Sequence, residues 1–563
     1  MVKNRGLRAG LSALLACAFF SVQAQTTAKY LVVFKDKTNS PYDVNRPQEF
    51  LSKRSIERRF KQNLVVSERD LPPNPTYIQA VREKGAKVWY KTRWANGVLV
   101  ECTPQQLEEI KTLPFVAGND GNVPLSAVPV TTTPGIRSGS KAWSAHLQPL
   151  EASPLASTPK NPKALDYGYS QAQIGQMRVD SMHARGFHGE GMWVGVIDNG
   201  FLSVNTQAAF KHLFDENRIL GTYDFVANNA NVYDQGTHGN SVLSLMAAYL
   251  PGQLIGTAYK ASYLLLHTED NSGEKRQEEA FWLAAAEYAD SVGVDVINSS
   301  LGYSTFDNPA TSYTYQDLNG QKALSTRAAK WAAETGILVV VAAGNEGSDA
   351  WRYITVPADA DSIITVGAVD SRMARANFSS IGPTADGRMK PDLSAMGSGN
   401  VVINALNGQL ASGGGTSYAS PLLAGMATSF WQAYPYLTNM EVISLLKQSA
   451  HKNEEPDNFL GYGVPNYLRA EQAVQAFRKK EGVRIVPNPT SGSRNPIAEL
   501  PFNEQNRTYA VTLLDTQGRI FWEGQVSGRR AELAIGSLPM PSGMYLLRFS
   551  RDAENYTARW LKW

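Results

Sequence analysis

Apolar and polar positions follow three different patterns along this 563-residue chain. In the first stretch, residues 30–34 (Tyr-Leu-Val-Val-Phe) predict a strand. Residues 47–63 predict a basic helix, with Phe50, Leu51, Ile56 and Phe60 as its apolar positions. A second helix is predicted over 76–84, stopped at Gly85, and strands over 88–90 and 97–100. Thr103 caps a helix running to about 113. Strands and helices mixed at this length fit a small α+β unit, and we set its bounds at 25–118. Residues 119–164 follow, rich in Pro, Ser, Thr and Ala and without periodicity. They read as a linker, the kind of exposed segment where proteolytic nicking concentrates.

From 165 to 480 the apolar runs are continuous rather than alternating: 193–197, 262–266, 294–298, 337–342, 363–366 and 401–405. Strands buried on both faces look like this, as in a parallel sheet covered by helices. Helices are predicted between them over 277–291, 325–335, 420–433 and 438–450. The expectation is one α/β domain of three layers with a mostly parallel sheet. The last stretch, 483–563, changes again to short alternating runs at 484–486, 509–514, 520–522, 544–549 and 558–561. Turn signals separate them at Pro487-Asn488-Pro489, Gln517-Gly518 and Pro541-Ser542-Gly543, which predicts a small β-sandwich.

Composition adds limits. The chain is 43% hydrophobic and 19% charged, ordinary globular usage, so bulk disorder is excluded. A net charge of +3 over this length gives no reason to expect nucleic acid or an acidic membrane as partner. Lys3, Arg5 and Arg8 followed by an apolar run over 11–22 and by Val22-Gln23-Ala24 read as a cleaved export signal, residues 1–24. A lipid-modified Cys17 is disfavoured because apolar residues continue beyond it. Cys102 is then the one cysteine left, so the exported chain has no internal disulfide. Its apolar surroundings suggest a buried structural thiol rather than a nucleophile.

Four segments carry chemistry. Asp198 ends the apolar run 194–197 and enters an Asp-Asn-Gly turn, where sites form in open α/β sheets. His238 lies between glycines in Gly236-Thr237-His238-Gly239, just before an apolar stretch. Asn345 follows the run 339–343 and can donate to an oxyanion, although Asn is also a common turn-former. Ser417 stands after the glycine run 413–415 and at the start of an apolar helix, where its backbone N–H is free for a developing negative charge. Pro421 fits the first turn of that helix. A phosphate loop is excluded because Gly-Lys-Ser/Thr is missing, and a zinc hydrolase because no His-Glu-x-x-His occurs. A nucleophile, a base, an orienting carboxylate and an oxyanion donor are what serine-dependent acyl transfer requires. The chain order Asp, His, Ser argues against a lipase or esterase of the α/β-hydrolase type.

These motifs resemble those of the subtilase family. Gly415-Thr416-Ser417-Tyr418-Ala419-Ser420-Pro421 is similar to its nucleophile motif, Gly236–Gly239 to its histidine motif and Ala343-Gly344-Asn345 to its oxyanion motif. The run 296–302 resembles the strand that pairs with substrate backbone. The resemblance implies a subtilisin-like fold and a serine endopeptidase. In it Asp198 orients His238, His238 is the general base, Ser417 attacks and Asn345 holds the oxyanion. Ser300, Leu301, Gly302, Ala342, Ala343 and Gly344 would line the substrate pockets. Two positions depart from the pattern: Asn199 after the aspartate, and Asn240 in the histidine motif. Both bear on specificity rather than on a reacting group. The first unit resembles a subtilase propeptide, with processing expected between about 118 and 163. The last resembles the C-terminal sorting domain of the type IX secretion system. The matching pieces are 487–492, 514–519 and 538–545 and the basic-aromatic ending 559–563. The resemblance implies protein or peptide substrates and a secretion-machinery partner, with export across the outer membrane to the medium or the cell surface. A monomer is expected and no cofactor is required. Calcium is frequent in the family, but no dense acidic loop locates a site. The contrasting reading is a catalytically silent surface protein that binds peptide through the same cleft.

Overall fold

The computed structural model describes residues 26–126, 147–150, 165–480, 483–490, 493–500, 508–528, 530–552 and 554–562. The expected export signal and most of the expected linker lie outside the described residues. The continuous apolar runs become β1 (Trp193–Asp198), β2 (Ile219–Asp224), β3 (Ser262–His267), β4 (Val296–Ser299), β5 (Leu338–Ala342), β6 (Ile364–Val369) and β7 (Leu393–Met396). They form one sheet in the order β7-β6-β5-β4-β1-β3-β2, parallel at every pairing. Four helices matter to the site: α1 (His238–Ala247), α2 (Gln277–Val292), α3 (Leu324–Glu334) and α4 (Thr416–Ala433). Strand β5 shows why the runs are apolar throughout. Leu338 and Val340 enter the core shared with α1 and α4, while Val339 and Val341 enter the core shared with α2 and α3. From β1 the chain moves to the β3/β2 side of the sheet, whereas from β4, the other neighbour of β1, it moves the opposite way to β5. The carboxyl ends of β1 and β4 therefore flank a topological switch point, where sites in such sheets form.

The structure differs from the sequence reading at four places. The helix expected over 47–63 is a single turn at Pro47–Glu49 followed by a helix at Lys53–Lys61 that Ser52 caps, and Phe60 is exposed. Residues 401–405 were expected in the main sheet, but 398–403 form β8 (Ser398–Ile403), which pairs antiparallel with β9 (Leu410–Gly414) in a separate small sheet. An apolar run reports burial and not the pairing partner. Strand β2 escaped detection because most of it is only half-buried, so it has no continuous apolar run. Helix α4 begins at Thr416 rather than 420, which puts Pro421 in its second turn.

The N-terminal unit is a four-stranded antiparallel sheet (Ala28–Phe34, Lys87–Thr92, Gly97–Cys102, Val116–Asn119) with helices Pro75–Glu83 and Pro104–Lys111. One sheet face carries its own core, including Cys102, whose thiol is pushed up to about 11 by burial. The other face lies on α2 and α3, where Leu31, Trp94 and Leu99 join the α2/α3 core. Charge reinforces this contact. Glu287 of α2 accepts from the backbone N–H of Arg93 (2.9 Å) and of Trp94 (3.0 Å). Asp290, fully buried, meets Arg58, Arg59 (2.9 Å) and Arg93 (2.5 Å). The C-terminal region forms a three-stranded and a four-stranded antiparallel sheet around one core that includes Tyr509, Leu513, Leu547 and Trp560. That agrees with the expected sandwich texture.

Candidate active site

Asp198 is the last residue of β1 and His238 the first of α1. Their side chains are 0% and 2% exposed, and His238 Nδ1 donates to Asp198 Oδ1 at 2.7 Å. A neutral imidazole that donates from Nδ1 carries its lone pair on Nε2, the tautomer a general base needs. The same carboxylate oxygen accepts the Asn199 backbone N–H at 2.8 Å. Asn199 Oδ1 accepts the Gly239 N–H at 3.3 Å, so this departure from the family pattern ties the two loops together. Asn240 donates to Leu202 O (2.7 Å) and to Gln207 Oε1 (2.9 Å), which anchors the start of α1.

Ser417 is the second residue of α4, after Gly415 at the N-cap. At that position its N–H has no partner within the helix. A Cβ placed on Gly415 would lie 2.8 Å from Ser417 Oγ and 3.7 Å from Asn345 Nδ2. A side chain at 415 would thus stand between the hydroxyl and the amide, and glycine keeps that space open. Asn345 Oδ1 accepts from Thr416 N–H (2.8 Å) and Thr416 Oγ1 (3.1 Å), which turns Nδ2 toward the serine side. The Tyr418 ring stacks on His238 with centroids 6.1 Å apart and a 17° tilt. Asp198, His238, Ser417 and Asn345 therefore gather at one place.

The six residues expected to line pockets lie at the carboxyl ends of the adjacent strands β4 and β5. Ser300, Leu301 and Gly302 follow β4; Ala342 ends β5, and Ala343 and Gly344 follow it. Ser300 Oγ donates to Ser417 O at 2.9 Å. That carbonyl would ordinarily accept the N–H of residue 421, which is a proline and has none, so the Ser300 hydroxyl replaces a missing helix bond. Ser420 Oγ donates to Asn298 Oδ1 (2.8 Å), a second tie between β4 and α4. Thr416 Oγ1 exchanges contacts with Gly344 (3.1 and 3.2 Å), which binds the end of β5 to the same helix.

Thr416, Tyr418, Thr355 and Glu346 were not singled out from the sequence. The first two lie inside the quoted motif and could have been found there. Thr355 Oγ1 and the Glu346 carboxylate close the floor between Gly302 and Gly344. No local pattern marks Thr355. Burial raises the Glu346 carboxyl, against a hydrogen bond from Ser380.

Among the described residues one acidic group has the spacing of metal ligands: Glu269, Glu274 and Glu278 offer oxygens within 4.8 Å of one another. Glu278 already accepts from the Asp270 and Lys275 N–H groups (2.7 and 3.0 Å), and Glu269 from Tyr303 (2.7 Å). Glu278 thus caps the turn that leads into α2. No helix of the described residues is long and apolar enough to cross a membrane.

Comparison with known proteins bears directly on this geometry. Residues 189–463 match the model of the Subtilase family, and residues 29–133 that of the Peptidase S8 propeptide domain, Bacteroidota. Subtilisin DY of Bacillus licheniformis is 31% identical over 299 residues, covering 53% of this chain and 96% of that protein. Serine protease AprX of Bacillus subtilis is 30% identical over 315 residues, covering 51% of this chain and 66% of that one. The solved structure of MycP1 with its N-terminal propeptide removed shares 21% identity, covers 53% of this chain and 96% of its own, and aligns with a TM-score of 0.43. With nearly the whole of Subtilisin DY matched and an S8 propeptide domain ahead of it, the chain belongs to the subtilase family of serine-type endopeptidases, which act on proteins or peptides.

Proposed function

We propose that the chain is a secreted endopeptidase, made as a zymogen, that hydrolyses peptide bonds through Ser417, His238 and Asp198. Ser417 Oγ attacks the scissile carbonyl as His238 Nε2 takes its proton. His238 returns that proton to the leaving amine, and the acyl group stays on Ser417. Water then attacks the acyl-enzyme with His238 again as base, which frees the acid and restores the hydroxyl. Asp198 orients the imidazole and stabilises its charged form. Asn345 Nδ2 and the Ser417 N–H receive the oxyanion, and Ser300–Gly302 with Ala342–Gly344 bind substrate backbone. Nothing in these steps needs a cofactor. The observation that carries the reading is the buried 2.7 Å Asp198–His238 contact beside the N-terminus of α4, where Ser417 sits.

Residues 1–24 would direct export and 25–118 would act as the propeptide. Processing would fall in 119–164, 165–480 would be the peptidase, and 483–563 would be the type IX sorting domain. The last assignment has support in the way two quoted pieces meet. Asn488 donates to Arg559 O (2.8 Å) and accepts from Leu561 N–H (2.9 Å), and Trp560 Nε1 donates to Thr490 (2.9 Å).

The test compares the signal-less chain with its Ser417→Ala variant. Casein hydrolysis, fluorophosphonate labelling and loss of the N-terminal region by mass are expected of the first and absent from the second. Two folded, inert and unlabelled proteins would replace this reading with the peptide-binding one.

A further inference from the structure

Strand β9 runs Leu410–Gly414 directly into Gly415, Thr416 and Ser417. One of its edges is taken by β8 and the other by a short strand from far upstream, Gln148–Pro149. The pairing is antiparallel, Gln148 opposite Ser412 and Pro149 opposite Ala411. Antiparallel residues alternate between pairs that exchange hydrogen bonds and pairs that do not. Pro149 has no N–H, so its pair is of the second kind and Gln148 is the residue that exchanges bonds with Ser412.

The direction has a consequence. Going backward from Gln148, the chain moves along β9 toward the nucleophile. Leu147 continues this path: a Cβ on Gly413 would lie 2.9 Å from Leu147 Cδ2 and 2.6 Å from the Tyr418 ring. Tyr418 in turn stacks on His238. Leu147 and Leu150 also pack against the α1/α4 core, so the segment is seated and not draped over the surface. A peptide lying on this edge with its earlier residues toward Ser417 presents the chain that follows a scissile bond. Substrate residues on the leaving-group side would add to the same edge in the same direction.

We propose that Leu147–Leu150 is a built-in occupant of the leaving-group side of the cleft. It is retained at the N-terminus of the mature enzyme, where it competes with the corresponding residues of substrates. The inference rests on the assignment of Ser417 as nucleophile. It places the maturation cut upstream of Leu147, and the matched propeptide domain ends at 133.

The experiment uses the matured full chain, as wild type and as Gln148→Pro, which deletes the one N–H available to Ser412. Leu147→Ala is a second variant that spares the backbone. Each is assayed on a peptide p-nitroanilide, which has no residues after the scissile bond, and on an internally quenched peptide with three such residues. Kinetics on the anilide should agree within about twofold. The quenched peptide should show KM lowered about fivefold or more in both variants, because the competing strand is weakened. N-terminal sequencing should find Leu147–Leu150 on the mature chain. An unchanged KM for the quenched peptide would overturn the proposal, and so would a mature N-terminus beyond Leu150. Loss of anilide hydrolysis in the wild type would instead refute the nucleophile assignment, so the two failures are distinguishable.

Discussion

Replacing Asp290 by alanine should loosen the propeptide without harming the free peptidase. In the zymogen this carboxylate is fully buried under three guanidiniums, those of Arg58, Arg59 and Arg93. Arg59 would keep Asp70 (2.7 Å), and Arg93 has Glu287 nearby through its backbone. Arg58 would keep only the carbonyls of Val294 (2.6 Å) and Thr335 (3.2 Å). A buried cation stripped of its counter-charge costs about 3–5 kcal/mol, or roughly two to three and a half decades in affinity. Once the propeptide has left, position 290 faces water on α2, and the same substitution should cost under about 0.5 kcal/mol. The arginines also hold the Asp290 carboxyl well below the usual carboxylate range. Its contribution to docking is therefore complete above the ordinary carboxylate pKa and is lost as pH falls through the depressed one. The assay follows the full chain after its first cleavage: the fraction of clipped propeptide that co-elutes with the peptidase, and the delay before casein hydrolysis begins. Asp290→Ala should shed the propeptide early at neutral pH. Asp290→Asn, which keeps an acceptor, should fall between. Equal retention and equal delay in wild type and Asp290→Ala would refute the reasoning that this cluster holds the propeptide.

Three further outcomes are expected. Asn345→Ala should lower kcat about 10²- to 10³-fold with little change in KM, the effect of deleting one oxyanion donor, read by steady-state kinetics. In a Ser417→Ala background, Ser300→Ala should destabilise by about 1–3 kcal/mol because the carbonyl of residue 417 loses its donor. Adding Pro421→Ala restores a helix N–H there and should recover part of that loss, as thermal unfolding would measure. His183 is buried with Tyr167 Oη on Nδ1 (2.9 Å) and Thr257 O on Nε2 (3.2 Å), and burial lowers it to about 3. Folding therefore favours the neutral ring. That stability is complete above the unfolded value near 6.5 and fades toward pH 3 with a slope of up to about 1.4 kcal/mol per unit. Urea unfolding of His183→Gln should show a flatter acid limb than wild type.

The layered α/β domain was legible because its strands are buried on both faces and so read as unbroken apolar runs, as at 338–342. Its half-buried edge strand β2 was not legible, since an edge needs no such run. Residues 401–403 show the opposite failure. They are as apolar as any core strand, but turn back on β9 to build the approach to Ser417. The glycines at 413–415 and the small residues after them announced a special helix start, while Pro421 suggested a later one. The hydroxyl of Ser300 removes that conflict by accepting the role of an absent N–H donor, and 117 positions of chain separate it from Ser417.

The sequence by itself determined the chemical inventory: a serine before an apolar helix, a histidine between glycines, a carboxylate at a strand end, and an amide after another. Residue types and local backbone preference are sequence-local, so they can be read without a fold. Only tertiary structure decided what these groups do to one another. It set the 2.7 Å contact between Asp198 and His238 and turned the Asn345 amide by way of Thr416. It sank Asp290 beneath three arginines and laid residues 148–149 along β9. Each of these depends on long-range closure of the chain, because a charge or a strand edge takes its meaning from the partner that burial brings to it.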